Sequence, residues 1–158
     1  MSFHPGQFRD ILREILVPAN LYSEAAEELL FGTAAQESLL GHYLRQYPEG
    51  PANGIFQIEE GTERDLWKNY LYFRPGYIET INFITGVCDY DHTQMRTNLG
   101  YQILAARFQY LRVPRPLPDP KNVPSMAVYW KLYWNTLEGK GRPNEFVQNY
   151  LKFAGGEQ

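Results

Sequence analysis

The chain has 158 residues and a formal net charge of -3, a length that fits one domain with a core of its own. Its Lys and Arg residues are scattered, which argues against a nucleic-acid-binding surface. Cys88 is the only cysteine, so an internal disulfide is excluded, and no Cys/His cluster has zinc-site spacing. We predict no metal, no cofactor, no nucleic-acid partner and, for want of a long apolar run, no membrane span.

The first two helices are predicted from apolar spacing and from punctuating residues. The pattern predicts a helix over residues 7–17, which Pro18 ends. Ser23 is a suitable N-cap for a second helix that continues to the neighbourhood of Glu37. The first turns of this second helix are acidic, which suits the helix dipole, and we expect their side chains to be solvated: Glu24, Glu27 and Glu28.

Glu37 is the one carboxylate that a helical wheel places on the small and apolar face of the second helix. At about 100° per residue, the residues within roughly 60° of it are Ala26, Leu30, Thr33, Ala34, Leu40 and Gly41. Desolvation on such a face raises the pKa of a carboxyl, as a general acid working near neutral pH requires. From geometry alone, Glu37 is either a catalytic acid or a structural residue that pairs with an Arg or caps a backbone group.

The rest of the chain reads as a loop, one short strand and further helices. Turn signals mark residues 41–53 as a loop, and residues 55–58 predict a strand in a short hairpin over residues 53–59. Helices are predicted over residues 62–73, 77–87, 94–111, 125–137 and 143–153, with a proline-rich extended crossing at residues 114–124. The segment 88–92 contains Asp89, Asp91 and His92, but its spacing matches no metal-ligand pattern. The predicted fold class is therefore a mostly α-helical single domain, residues 1–158, with one short β-hairpin.

Two of these stretches carry a family resemblance. Gln36-Glu37-Ser38, followed by Gly54-Ile-Phe-Gln57, resembles the lysozyme-like lytic transglycosylases and the goose-type lysozymes. Those families carry a catalytic Glu in a Glu-Ser pair at a helix end, and a Gly-x-x-Gln segment on a hairpin that lines the sugar groove. The resemblance implies a lysozyme-like fold and Glu37 as general acid and base. It also implies substrate contacts from Ser38, Gly54, Phe56 and Gln57.

A third stretch, Met126-Ala-Val-Tyr-Trp-Lys-Leu-Tyr-Trp-Asn135, falls where the related enzymes have an Ala-x-Tyr-Asn-like motif whose Tyr reaches towards the catalytic Glu. Tyr129 and Tyr133 lie one turn apart on the same face, and the match does not choose between them. The resemblance thus adds Tyr129, Tyr133 and Asn135 to the predicted substrate-binding residues, with at least one of the two tyrosines a core residue.

The resemblance implies an enzyme that degrades peptidoglycan by cleaving the β-1,4 bond between MurNAc and GlcNAc. It favours a lytic transglycosylase, which uses a single carboxyl group, over a lysozyme-type hydrolase. A hydrolase would need a residue to position water, and the available carboxylates are Glu59, Glu60, Asp89 and Asp91. The alternative from another class is a lysozyme-like fold used for binding or structure, with Glu37 vestigial. A third is a helical adaptor in which the Glu-Ser pair is accidental. An enzyme needs an open groove with Glu37 at its floor, whereas a scaffold would fill that groove with side chains.

The N-terminus shows no secretory signal. We therefore expect a protein made in the cytoplasm that acts on the periplasmic cell wall, as bacteriophage endolysins and virion proteins do. Its expected partner is the peptidoglycan glycan strand, with a phage virion or tail assembly as a second candidate.

Overall fold

Helices make up most of the computed structural model, which describes residues 1–156. In chain order they are α1 (Pro5–Leu16), α2 (Glu24–Ser38), α3 (Glu60–Asn69), α4 (Pro75–Thr85), α5 (Gln94–Thr97), α6 (Leu99–Leu111), α7 (Val123–Trp130) and α8 (Pro143–Ala154). A 3₁₀ turn (Leu71–Phe73) follows α3, and a π-helical turn (Lys131–Asn135) follows α7. The mostly α-helical class predicted from the sequence is confirmed. None of the helices in the described range combines the length and the apolar character needed to cross a bilayer.

The helix predicted over residues 94–111 is in fact two helices, α5 and α6. Asn98 divides them, because its backbone is extended (φ -109°, ψ 95°) and cannot continue the helical hydrogen bonding. The Asn98 side-chain oxygen then accepts a hydrogen bond from the backbone N–H of Tyr101 at 3.1 Å, which caps the start of α6. Ser23 caps α2 in the same way, as its sequence position predicts.

The predicted strand over residues 55–58 does not form. Asn53 and Ile58 exchange two backbone hydrogen bonds of 3.1 and 2.9 Å, and Asn53 also bridges to Arg45. Within residues 1–156, β-structure is limited to these isolated bridges. The reason is local: Gly54 (φ 81°) and Gln57 (φ 50°) both lie in the left-handed region, so the chain reverses too sharply for a strand.

The centre of the fold consists of α2 and α6, which are buried on nearly every side. Helices α1, α7 and α8 pack against α2, and α3 and α4 pack against α6. Because these helices cover α2, part of its acidic N-terminal segment is buried. Glu27 was expected to be solvated, but it is only 2% exposed, and Arg13 donates two hydrogen bonds of 2.8 Å to it. The prediction of a solvated helix start is wrong for Glu27, because a helical wheel does not show how many neighbours will cover a helix.

Helix α8 packs closely against α2, and Gly32 makes this close packing possible. A Cβ atom at position 32 would lie 2.3 Å from Cζ of Phe146, which is fully buried. Backbone and ring therefore meet with no space for a side chain.

We predict that Gly32→Ala lowers the free energy of unfolding by about 1–3 kcal/mol, since the added methyl must displace a packed ring. Denaturant unfolding followed by circular dichroism measures this change. Gly61→Ala is the matched control, because a Cβ at position 61 in α3 meets nothing within 4 Å. The packing account would be contradicted by a Gly32→Ala protein as stable as the Gly61→Ala protein.

Candidate functional site

Glu37 lies in the last turn of α2, where the chain leaves the helix abruptly. The next residues, Leu39 (φ 51°), Leu40 (φ 55°) and Gly41 (φ 81°), all have left-handed backbones. Such conformations are rare for leucine and are retained only where surrounding contacts enforce them. Here Leu40 is fully buried, and its N–H donates to the carbonyl of Ala34 at 3.0 Å. The end of α2 is therefore fixed, and Glu37 with it.

Ser38 connects the end of α2 to the turn that follows in the chain. Its hydroxyl lies 2.6 Å from the carbonyl oxygen of Ile55, to which it donates, and it accepts a hydrogen bond of 2.8 Å from the N–H of Gly41. Ser38 is fully buried, so it cannot contact a ligand in the way that the resemblance implies. What it does instead is hold the helix end against the turn.

The turn at residues 54–57 is held from its other side by α6. The side-chain oxygen of Gln102 accepts a hydrogen bond of 2.8 Å from the N–H of Ile55. At Gly54 a Cβ would lie 2.4 Å from the carbonyl oxygen of Met95, so only glycine fits there. Gln57 then closes the turn, donating from its side chain to the carbonyl of Gly54 at 2.8 Å. Two buried helices thus set the position of Gln57 relative to Glu37.

The Glu37 carboxyl is partly buried, and its one hydrogen-bond partner within residues 1–156 is neutral. The indole N–H of Trp130 donates to Oε1 at 2.9 Å. Among the described residues, neither an Arg nor a Lys forms an ion pair with it. In the part of the chain that the structure describes, Glu37 therefore neither pairs with an Arg nor caps a backbone group, as the structural alternative would require. Burial raises the pKa of Glu37 from its ordinary 4.5 to about 7, with the Trp130 hydrogen bond acting in the opposite direction.

Two cavities meet at Glu37 and Gln57, and together we call them the groove. The Trp134 cavity has a volume of about 180 Å³ and is lined by Glu37, Gln57, Ile58, Glu59, Thr62, Gln109, Trp134 and Asn135. The Tyr43 cavity has a volume of about 240 Å³ and is lined by Gln36, Glu37, Leu39, Tyr43, Gln46, Tyr47 and Gln57. Since Glu37 and Gln57 belong to both linings, the carboxyl lies at the junction rather than at one end.

The two sides of the groove offer aromatic faces and neutral polar groups. Tyr43 and Tyr47 are stacked, with ring centroids 5.4 Å apart and an interplanar angle of 17°, and Tyr47 is 73% exposed. On the other side, Trp134 stands beside Asn135 and Gln109. Flat apolar faces together with a few polar groups are the usual lining of a site for a small organic ligand.

The π-helical turn brings Trp134 and Asn135 to the groove. It interrupts the regular helix after Trp130, and Thr136 (φ 70°) then ends it. Lys131 donates to the Asn135 side-chain oxygen and to the carbonyl of Gly139, both at 2.7 Å, which holds the turn closed. π-Helical turns occur frequently at functional sites. The helix predicted over residues 125–137 is therefore a regular α-helix only as far as Trp130.

The structure brings together some of the predicted site residues and separates others. Gln57 and Asn135 share the Trp134 cavity with Glu37. Phe56 is 1% exposed and packs against Trp134, so it supports the groove from behind and was wrongly assigned a substrate contact. Gly54 is buried as well, and its part is the turn geometry described above.

Tyr129 and Tyr133 contact each other, with ring centroids 4.7 Å apart. Neither of them lines the Trp134 cavity or the Tyr43 cavity. Tyr129 is 7% exposed and donates to the carbonyl of Arg115 at 3.2 Å. The expectation that one of these tyrosines reaches Glu37 is corrected: the segment supplies Trp130 and Trp134 instead. Because the regular helix ends at Trp130, counting helical turns along the sequence could not have predicted that Trp130 and Trp134 are the residues near Glu37.

The residues that sequence reasoning missed include Trp130, the hydrogen-bond partner of Glu37, and five residues that line the groove: Trp134, Thr62, Gln109, Tyr43 and Tyr47. Trp130 and Trp134 lie inside the stretch that carries the third motif, so a search of that stretch for any hydrogen-bond donor would have included Trp130. The other four lie outside all three motifs, and only the folded chain brings them to Glu37.

The remaining acidic candidates lie away from the groove, apart from Glu59. Glu60 accepts from Arg64, and Asp89 accepts from the hydroxyl of Tyr72. Asp91 accepts from Thr93, and His92 pairs with the buried Glu63. Within residues 1–156, His, Cys, Asp and Glu side chains form no group of three or more that could hold a metal ion.

No protein-family model, curated protein or solved structure matches this chain. The lysozyme-like fold and the activity implied by the motifs therefore stay predictions, and the geometry around Glu37 carries the functional argument.

The raised pKa of Glu37 predicts a pH-dependent stability difference between the parent and Glu37→Gln. The folded state holds the proton up to about pH 7, while the unfolded chain loses it near 4.5, so the ionised carboxyl destabilises the parent progressively between these values. The amide lacks this penalty and can still accept the Trp130 hydrogen bond. We expect equal stability near pH 4 and an advantage of about 1–3 kcal/mol for Glu37→Gln at pH 8.

Denaturant unfolding at pH 4, 6 and 8 measures the difference. Glu79→Gln on α4 is the control, because Glu79 is exposed and does not line the groove. A stability difference for Glu37→Gln that does not change with pH would mean that this carboxyl ionises normally in the folded protein.

Proposed function

We propose that this protein cleaves the glycan strands of peptidoglycan at the β-1,4 bond between MurNAc and GlcNAc, with Glu37 as the general acid and base. The observation that carries the proposal is a carboxyl at the junction of two open cavities, with no ion pair to the residues that the structure describes and with its pKa raised by burial. A purely structural protein would have no need to leave this groove unfilled. The motif order from Glu37 through Gln57 to Asn135 supplies the substrate class.

The chemistry assigned to Glu37 has two proton transfers. The protonated carboxyl first donates its proton to the glycosidic oxygen, the bond from the anomeric carbon to that oxygen breaks, and the leaving sugar departs with a new hydroxyl. The carboxylate then accepts a proton from the hydroxyl that attacks the anomeric carbon. In a transglycosylase this is the 6-hydroxyl of the same muramyl residue, and a 1,6-anhydro ring forms. One carboxyl serves both steps, so no second is needed.

The groove suits a chain of amino sugars running across Glu37. Gln57, at the junction, has both a donor and an acceptor group, as do Gln109 and Asn135 on one side. Tyr43 and Tyr47 on the other side present ring faces to the apolar faces of sugar rings. Sugars on both sides of Glu37 would place the bond between them at the carboxyl.

A hydrolase of the same bond is the second candidate, and Glu59 is the observation that favours it. Glu59 is the other carboxylate in the lining of the Trp134 cavity. Glycoside hydrolases commonly use two carboxyl groups, and the second activates a water molecule or attacks the anomeric carbon. If the protein is a transglycosylase, Glu59 neither activates water nor attacks the anomeric carbon.

We predict that Glu37→Gln lowers wall-cleaving activity by at least about 10²–10⁴-fold, because the amide neither donates an acid proton nor accepts one. Turbidity clearing of chloroform-treated Gram-negative cells measures the activity, and circular dichroism of the same preparation checks the fold. Glu79→Gln should clear cells at the parental rate. A folded Glu37→Gln protein that clears cells as fast as the parent would overturn the assignment of Glu37.

We predict that Glu59→Gln stays within a few-fold of the parental rate and that both proteins release fragments with 1,6-anhydro ends. Mass analysis of purified peptidoglycan after digestion distinguishes these ends from reducing ends, which are heavier by one water molecule. Reducing ends from the parent, combined with loss of activity in Glu59→Gln, would assign the protein as a hydrolase with two catalytic carboxyl groups.

A further inference from the structure

The contact between Trp130 and Glu37 joins a fully buried ring to the carboxyl in the groove. Trp130 is 1% exposed, and its N–H donates to Oε1 of Glu37 at 2.9 Å. An indole nitrogen can only donate. In a protonated carboxyl the better acceptor is the oxygen that carries no hydrogen, so this contact favours the proton on Oε2.

The indole is held in this orientation by a column of close contacts. Its ring packs on that of Phe146, with centroids 5.6 Å apart, and Phe146 in turn occupies the space that Gly32 leaves open. On another edge, a Cβ at Gly141 would lie 2.5 Å from Cη2 of Trp130. These contacts leave the ring no room to turn its N–H away from Glu37.

We propose that Trp130 is a positioning residue, which occupies Oε1 of Glu37 and thereby makes Oε2 the oxygen that transfers the proton in the groove. The part that concerns proton transfer rests on the function proposed above. The part that concerns the hydrogen bond and its effect on the titration of Glu37 does not.

The hydrogen bond from Trp130 opposes the effect of burial on the pKa of Glu37. The titratable groups that line the groove with Glu37 are Glu59, Tyr43 and Tyr47. Behind this lining, Tyr110 contacts Trp134, and His42 contacts Tyr43. Lys131 is occupied with Asn135 and Gly139. The indole N–H is thus the group seen to stabilise the ionised form of Glu37, and removing it should move the titration of Glu37 to higher pH.

The first test compares Trp130→Phe with Trp67→Phe over a range of pH. Trp67 is the matched control, because it is equally buried and donates its N–H to the hydroxyl of Tyr101 at 2.8 Å, away from the groove. We expect Trp130→Phe to lower wall cleavage by about tenfold or more at the parental optimum. We also expect it to move the alkaline limb of the pH profile upwards, since the acid keeps its proton to higher pH. Trp67→Phe should leave that limb in place.

A purely structural role for Trp130 would lower activity without moving the limb, and that result would overturn the proposal. An equal shift in both variants would overturn it too, since it would reflect a general loss of packing.

The second test uses the unsubstituted protein and needs neither enzymatic activity nor a folded Trp130 variant. The chain has three tryptophans, so an amide-correlation NMR spectrum shows three indole N–H resonances. We expect one of them, Trp130, to titrate with a midpoint of about 7, and we expect that titration to disappear in Glu37→Gln. A Trp130 resonance that does not titrate, or that titrates equally without the carboxyl, would overturn the proposal. If the protein cleaves no glycan yet this titration is found, the proposed function fails and the hydrogen bond stands.

Discussion

The site depends on the carboxyl group of Glu37, which is desolvated at the end of a buried helix and accepts a hydrogen bond from a neutral donor, Trp130. α2 is covered on nearly every side, so its last turn carries Glu37 into surroundings where ionisation is unfavourable. An arginine partner would stabilise the ionised form of Glu37, but its hydrogen-bond donor is the neutral indole of Trp130. Glu27, which is buried on the same helix, differs in having a cationic donor, Arg13.

Irregular backbone builds the walls around this carboxyl. Left-handed residues end α2, a left-handed Gln57 closes the turn opposite, and a π-helical turn brings in Trp134. Such departures from regular structure cost free energy, and side-chain hydrogen bonds hold them in place, such as that of Ser38 with the carbonyl of Ile55. The regular helices supply the rigid frame, and the irregular segments between them supply the groove. This division of labour is common where a site must hold side chains at fixed positions.

The sequence predicted the local features well, because local features depend on neighbouring residues. Pro18, the Ser23 cap and the inward face of Glu37 all follow from spacing and side-chain chemistry. The break at Asn98 and the π-helical turn did not follow, since their side-chain signals are weak beside the apolar pattern that surrounds them. Trp130 could not be derived at all as the partner of Glu37, because that contact joins residues far apart in the chain through the packing of α7 against α2.

The most direct test of this account is the titration of the Glu37 carboxyl itself. Carbon-13 NMR of side-chain carboxyl groups, with Glu37→Gln to assign the resonance, follows its ionisation in the folded protein. The account predicts a midpoint of about 7, well above the ordinary 4.5, because burial outweighs the single hydrogen bond from Trp130. A midpoint near 4.5 would contradict it, since Glu37 would then be ionised at neutral pH and unable to begin the reaction as an acid.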